Sequence, residues 1–277
     1  MSAGTLFVVA TPIGNLADAS PRSLEVLRGA DLIACEDTRV TGAFLARAGI
    51  ERPLVALHAH NERRAAVRLL AELAAGRTVA LVSDAGTPAV SDPGAHLVSE
   101  AHRAGIRVSP VPGPSAAAAA YSASGFGEAG FLFAGFLPAS GAERRRAVDA
   151  LEQPWPVVLY EAPHRIGRTL SDLLERFGPA REIFIGRELT KKFEETARLP
   201  LGAAKDWLAA SPHREQGEFA LVLAAGAAAK SAPAVDPDAA LALLVEVLSP
   251  SEAARIAAKL TGAPKNALYR KAIAKDK

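Results

Sequence analysis

Residues 81–94 read LVSDAGTPAVSDPG. An apolar run ends in Asp84-Ala85-Gly86-Thr87-Pro88, and Asp92-Pro93-Gly94 follows within the same stretch. Two readings fit such a strand end. It is a surface loop after a buried strand, or it is a ligand cradle, because open α/β sheets bind ligands at the carboxyl ends of their strands. The flanking sequence describes a sheet of that kind. LFVVAT (6–11), DLIACED (31–37), PLVALHAH (53–60), RTVALVSD (77–84) and IRVSPVPG (106–113) read as strands. Helical segments separate them: SPRSLEVLRGA (20–30), with Ser20 at the cap and Pro21 at the first helical position, TGAFLARAGI (41–50), NERRAAVRLLAELAAG (61–76) and GAHLVSEAHRAG (94–105). Strands alternating with helices of this length predict a parallel sheet covered on both faces.

From about residue 116 the rhythm changes. Strands are expected at 130–138, 155–163, 181–189 and 217–226, with helices near 142–152, 164–177 and 201–210. The expected fold is therefore α/β, with a parallel-sheet N-terminal domain over 1–115 and a mixed-sheet second domain over 116–228. A small-residue linker with Pro233 follows at 229–236, and a helical module at 237–277. That module holds SPSEAARIAAKL, a Thr261-Gly262-Ala263 turn and a second helix from Pro264, a helix-turn-helix pattern. Its first helix has an apolar stripe of Ala254, Ile256, Ala257 and Leu260.

The totals are those of a soluble globular chain: 277 residues, 49% hydrophobic, 22% charged and a net charge of +2. No apolar run approaches the ~20 residues of a membrane span, and the N-terminal segment reads as a first strand and not as a signal peptide. A cytoplasmic protein is expected. The single cysteine, Cys35, excludes an internal disulfide and reads as a core residue. The histidines gather no ligand cluster, so no metal site is expected. Charge is balanced over the first 232 residues, but residues 251–277 carry five lysines and two arginines against Glu252 and Asp276. The second helix there presents Lys265, Asn266, Tyr269, Arg270, Lys271 and Lys275. Basic residues around an aromatic suit RNA phosphates and bases; a solvated tail fits the same charges.

The chemistry gathers at strand ends. TPIGN (11–15) lacks the G-x-G-x-x-G dinucleotide fingerprint. CEDTR (35–39) places Glu36, Asp37 and Arg39 at a strand terminus, either as a helix cap with an ion pair or as a polar clasp on substrate. Ala85 to Thr87 offer backbone N–H groups, and Pro112-Gly113-Pro114 opens a helix at Ser115 whose free N–H groups suit an anion. YEAPHR (160–165) and GRELTKKFEE (186–195) are charge runs that are ordinarily solvated faces.

Nine motifs in order carry a resemblance: TPIGNLAD, ACEDTRVTG, HAHNE, LVSDAGTPAVSDPG, VPGPSAAAAA, GFLP, YEAPHR, RELTK and KNALYR. Together the chain resembles the ribosomal RNA small subunit methyltransferase I family, a branch of the tetrapyrrole methylase superfamily, over about residues 5–275. The resemblance implies a two-domain tetrapyrrole-methylase-like fold and S-adenosyl-L-methionine as methyl donor. It implies methylation of the 2′-hydroxyl of a cytidine in the decoding region of 16S rRNA, within the 30S subunit, by a homodimer. It places the cofactor against Pro12, Ser83, Asp84, Ala85, Gly86, Thr87, Val90, Ser91, Pro114, Ser115 and Ala116. Thr11-Pro12-Ile13-Gly14 and Asp84-Ala85-Gly86 stand where tetrapyrrole relatives usually have Gly-Pro-Gly and Gly-Asp-Pro. That departure favours the RNA branch over a corrin or porphyrin methylase, the alternative, alongside a non-catalytic RNA-binding protein. Asp37 and Glu188 are candidates for a general base, and Arg39, Arg187 and Lys191 for holding the adjoining phosphate.

Overall fold

The computed structural model describes residues 3–127, 130–226 and 236–274. The linker expected at 229–236 and Lys275 lie outside the described residues, apart from Asp236. The chain divides into two compact units, residues 1–226 and 227–277, and the first contains both sheets.

In chain order the first sheet region comprises β1 (Thr5–Val9), α1 (Pro21–Gly29), β2 (Leu32–Cys35), α2 (Thr38–Arg47), β3 (Leu54–Ala56), α3 (Glu62–Ala74), β4 (Val79–Leu81), α4 (Ala95–Arg103) and β5 (Arg107–Val111). All pairings are parallel, in the order β3-β2-β4-β1-β5. The side-chain period of two divides each strand between two cores. Leu32 and Ala34 join Leu69, Leu73 and Leu97 under α3 and α4, while Ile33 and Cys35 join Leu27 and Leu45 under α1 and α2. The helices start as their sequences direct: Ser20 accepts from the Ser23 N–H at 3.0 Å, and Asp37 from the Arg39 N–H at 2.8 Å. Because every strand runs the same way, the loops after β1, β2, β3, β4 and β5 gather along one edge. The third strand is shorter than expected. It ends at Ala56, and His58 and His60 lie in the following turn, their rings 6.2 Å apart.

The second region runs α5 (Ala116–Ser124), β6 (Leu132–Phe136), α6 (Gly141–Asp149), β7 (Val157–Glu161), α7 (Ile166–Phe177), β8 (Glu182–Arg187), β9 (Glu195–Pro200), α8 (Leu201–Ala209) and β10 (Phe219–Leu223). Its sheet, β6-β7-β10-β8-β9, is mixed: β6 pairs parallel with β7 and the remaining pairs are antiparallel. One face packs on α6, α7 and α8. The other receives α5, whose Ala117 and Ala120 sit against Val158, Phe184, Ala220 and Val222. Strand β9 was not expected from the sequence. It is an edge strand of alternating exposed and half-buried residues with no apolar run to mark it.

The second unit is three helices, α9 (Pro237–Val245), α10 (Pro250–Thr261) and α11 (Lys265–Ala274), around Leu241, Ala253, Ala254, Ala257 and Leu268. Ser249 caps α10: its Oγ accepts the Glu252 N–H at 3.4 Å and donates to the Glu252 carboxylate at 2.7 Å. Gly262, at φ +73°, closes the helix in the left-handed conformation. Of the expected stripe on α10, Ala254 and Ala257 are buried, whereas Leu260 is exposed and Ala253 is buried instead.

Leu159 lies mid-way along β7, between β6 and β10, and is fully buried. Leu159→Ala is expected to lower the unfolding free energy by about 2–5 kcal/mol, measured by urea denaturation with unchanged slope.

Candidate active site

The two sheets face each other across a cavity of about 400 Å³, within the range of small-molecule sites. Loops of the first sheet supply one wall: Ile13 after β1, Ala85, Gly86, Thr87, Val90, Ser91 and Asp92 after β4, and Ser115 and Ala116 after β5. The second sheet supplies the other: Phe136, residues 160–163, Gly186, Leu189 and Lys191, and residues 218–220.

Cross-links between loops hold the first wall. Thr11 and Gly86 exchange backbone hydrogen bonds at 2.9 and 3.1 Å. The Thr11 hydroxyl donates to the Ser83 carbonyl at 3.3 Å, and the Thr87 hydroxyl to the Pro114 carbonyl at 3.1 Å. Three strand ends are thereby tied into one surface. Gly86 sits at φ +79°, where a Cβ would lie 3.3 Å from Ile13 Cγ2, so the turn needs glycine for conformation and for space. Helix α5 starts at the wall, capped by Ser115, which accepts the Ala118 N–H at 3.4 Å. The Ala117 N–H is held by the Tyr160 hydroxyl at 3.0 Å. Burial pushes the Tyr160 proton affinity up. Burial also raises that of Asp92, against a hydrogen bond from Ser83 and with a further rise from Asp84. Glu36 is raised likewise by burial and by Asp92, Asp84 and Asp37.

On the opposite wall Lys191 bridges two carboxylates, donating to Glu188 Oε1 and Glu218 Oε2 at 2.9 Å each. Burial works to raise the Glu188 pKa, but Lys191 and the Glu218 N–H prevail and lower it. The same pair of carboxylates holds Lys191 charged against its burial.

Profile comparison matches residues 5–205 to the tetrapyrrole (corrin/porphyrin) methylases and residues 231–276 to the RsmI C-terminal HTH domain. A Pseudomonas aeruginosa protein named ribosomal RNA small subunit methyltransferase I is 48% identical over 276 residues, covering 99% of this chain and 98% of the relative. The chain belongs to the ribosomal RNA small subunit methyltransferase I family. The Escherichia coli O157:H7 protein of the same name is 45% identical, over 98% of this chain and 96% of that one. Among solved structures, uroporphyrin-III C-methyltransferase from Thermus thermophilus complexed with S-adenyl homocysteine aligns with TM-score 0.55 at 17% identity, over 82% of this chain and 99% of that one. Diphthine synthase aligns with TM-score 0.58 at 19% identity, over 79% and 89%. At these identities the structures establish the fold.

In this family member the cavity wall includes Ala85, Gly86, Thr87, Val90, Ser91, Ser115 and Ala116 of the residues expected to meet a cofactor. Pro12 and Ser83 are buried behind the wall, Asp84 is engaged with the Asp37 N–H at 3.0 Å, and Pro114 offers its carbonyl to Thr87. The expected catalytic carboxylates are not on the wall. Asp37 caps α2 and takes two bonds from the Arg39 guanidinium, at 3.0 and 2.5 Å, which hold its pKa well below the carboxylate range. Arg187 requires correction as a phosphate ligand: it is 7% exposed and donates to the Gln216 and Phe193 carbonyls at 2.7 and 3.0 Å. Lys191 faces the cavity and is paired, and Arg39 is exposed beside Asp37. On α11, Lys265, Asn266, Tyr269 and Arg270 are exposed, whereas Lys271 is engaged with Asp238 at 2.6 Å. The sequence reading missed Ile13, Asp92, Phe136, Leu189, Glu218, Phe219 and Ala220 as wall residues; they come from strand ends far apart in the chain.

The Glu188 pKa is depressed below its ordinary 4.5 in the folded chain. Its contribution to stability is present above that value and is lost as pH falls through the lower folded pKa. Lys191→Met removes the main favourable partner, so the loss of stability as pH is lowered from above that ordinary value to below it should become shallower. Urea midpoints measured across that range test this; parallel curves for the two proteins would contradict it.

Proposed function

We propose that the chain methylates the 2′-hydroxyl of a cytidine in the decoding region of 16S rRNA, using S-adenosyl-L-methionine. Family membership makes it an S-adenosylmethionine-dependent rRNA methyltransferase; the atom and nucleotide are what the resemblance carried by the ordered motifs implies. The observation that carries the reading is a cavity walled by both sheets. Its residues fit the donor. Gly86 leaves room that a side chain would fill, Ser115 and Ala116 present a helix N-terminus, and Ile13, Leu189 and Phe219 supply apolar surface. When bound, the donor supplies a sulfonium methyl group for in-line displacement by an oxygen. The chain's contribution is orientation, which can supply up to ~7–11 kcal/mol of a barrier, and acceptance of the ribose proton. Arg39 and Lys191 hold Asp37 and Glu188 ionised and make them weak bases. Asp92, on the wall with raised proton affinity, is the better-placed acceptor in this reading.

The substrate is taken to be the 30S particle, gripped through the exposed basic face of α11, and the working form a homodimer. Among the described residues no helix is long and apolar enough to cross a membrane, and a ribosomal substrate places the protein in the cytoplasm.

Labelled S-adenosylmethionine offered with 30S subunits lacking the modification should put label into one alkali-resistant ribose. Gly86→Val should lower that transfer by roughly tenfold or more, ~1.4 kcal/mol or more of barrier. Label in a tetrapyrrole and none in RNA would replace this reading with the corrin and porphyrin alternative; RNA binding with no transfer would leave a non-catalytic binder. Lys265→Ala with Arg270→Ala should reduce the slope of log affinity for RNA against log salt by about 2 and leave cofactor affinity unchanged. An unchanged slope would remove α11 from the RNA contact.

A further inference from the structure

Strand β6 ends in a device that the methyl-transfer chemistry leaves unused. Phe133 and Phe136 are three residues apart, a spacing that puts side chains on opposite faces of a regular strand. Here the register against β7 slips by one residue between Phe133, opposite Val158, and Gly135, opposite Leu159. Gly135 takes φ +65° to make the slip. Both rings consequently meet Tyr160 edge-on, with centroids 4.9 and 5.7 Å from its own and interplanar angles of 66° and 65°. A bulge that re-aims a side chain beside a functional cavity is the common use of this irregularity.

The re-aimed ring of Phe136 lines the cavity and is still 53% exposed. Burying it fully would stabilise the fold, so its position at the mouth is not explained by packing of the chain alone. The backbone that follows is clamped. The Leu137 carbonyl accepts from Arg165, and the Pro138 carbonyl from Arg144 at 2.9 Å. Arg144 is 2% exposed and is held by Thr169 at 2.8 Å, and Glu161 accepts from Thr169 at 2.5 Å and from Arg165 at 3.1 Å. Burying such charges is costly, and what this cluster fixes is the strand end that carries Phe136.

We propose that Phe136 is the stacking platform for the target nucleobase, with the pyrimidine lying on the exposed face of the ring and its ribose turned into the cavity. The proposal rests on the rRNA-methylation reading and adds to it the residue that holds the extruded base. A cavity of about 400 Å³ accommodates one small molecule, so the nucleotide is met at the mouth, where this ring stands. Base–aromatic stacking also tolerates any base, which assigns Phe136 to holding the nucleotide and leaves its identity to other groups.

The test compares wild type, Phe136→Ala and Phe136→Trp in three measurements. These are methyl transfer to unmodified 30S subunits, binding of S-adenosylhomocysteine, and tryptophan fluorescence on adding unmodified 16S rRNA. The wild-type titration supplies the background from Trp155 and Trp207. For Phe136→Ala, kcat/KM for RNA should fall about ten- to hundredfold while cofactor Kd stays within about twofold. Phe136→Trp should recover most of the transfer, and its added fluorescence should be quenched by RNA and not by cofactor alone. A cofactor Kd that rises in step with the loss would assign the ring to the cofactor and overturn the proposal. So would unchanged kcat/KM, an unquenched Phe136→Trp, or a change in oligomeric state in Phe136→Ala, which would make the ring a subunit contact. If wild type transfers no methyl group, the methylation reading fails, and quenching of Phe136→Trp by RNA then decides the stacking proposal separately.

Discussion

The seat of helix α5 on the second sheet is the contact on which the rest of this structure depends. The helix begins at the end of β5, the last strand of the first sheet, and lays Ala117 and Ala120 against Val158, Phe184, Ala220 and Val222. Methyl side chains allow a close approach that larger residues would forbid. The Tyr160 hydroxyl holds the Ala117 N–H, one of the donors a helix start leaves unpaired. One short element therefore fixes the carboxyl edge of a parallel sheet opposite the strand ends of a mixed one. The cavity is what lies between.

Strain in this unit collects around that cavity. Among the described residues, the non-glycine residues at positive φ are Ala89, Glu188 and Thr190, at +62°, +49° and +67°. Ala89 lies in the loop after β4, and the other two flank Leu189 on the opposite wall. Such conformations cost on the order of 1–3 kcal/mol each and persist only where neighbours determine them. The neighbours are visible: Thr190 accepts from the Asn15 N–H at 3.2 Å, and Glu188 is held by Lys191 and by the Glu218 N–H at 2.9 Å each. The first contact joins the loop after β1 to the loop after β8, so both walls meet on that side as well.

The parallel sheet and its crossover helices were legible because each strand carries its own apolar run and each helix its own punctuation. Ser20-Pro21, Asp37-Thr38 and Ser249-x-x-Glu252 mark helix starts with local chemistry, and the structure places starts there. The loop at 83–91 was legible as a cavity-facing candidate because turn residues gather at the end of a parallel strand, although a plain surface loop fitted the same residues. Strand β9 was not, since an edge strand half in water needs no apolar signature. On α10 the stripe was legible at Ala254 and Ala257 but not at Leu260, which stays outside because alanines, Ala253 among them, do the packing.

Charged residues separate what the sequence determined from what it left open. The types and order of residues determined the fold class, the loops that face the cavity and the family to which the chain belongs. The tertiary structure decided among the roles that the sequence left open to each charge. Arg187, Lys191, Asp37 and Glu188 read alike as polar groups at strand ends, yet Arg187 is buried on carbonyls and Lys191 bridges two carboxylates. Asp37 is held as a carboxylate by its neighbour Arg39, and Asp92 reaches the wall. A charge takes its role from the partners within a few ångströms and from its burial. Some of those partners are near neighbours, but Gln216 for Arg187 and Glu218 for Lys191 lie 29 and 27 residues away, and the chain brings them together only by folding.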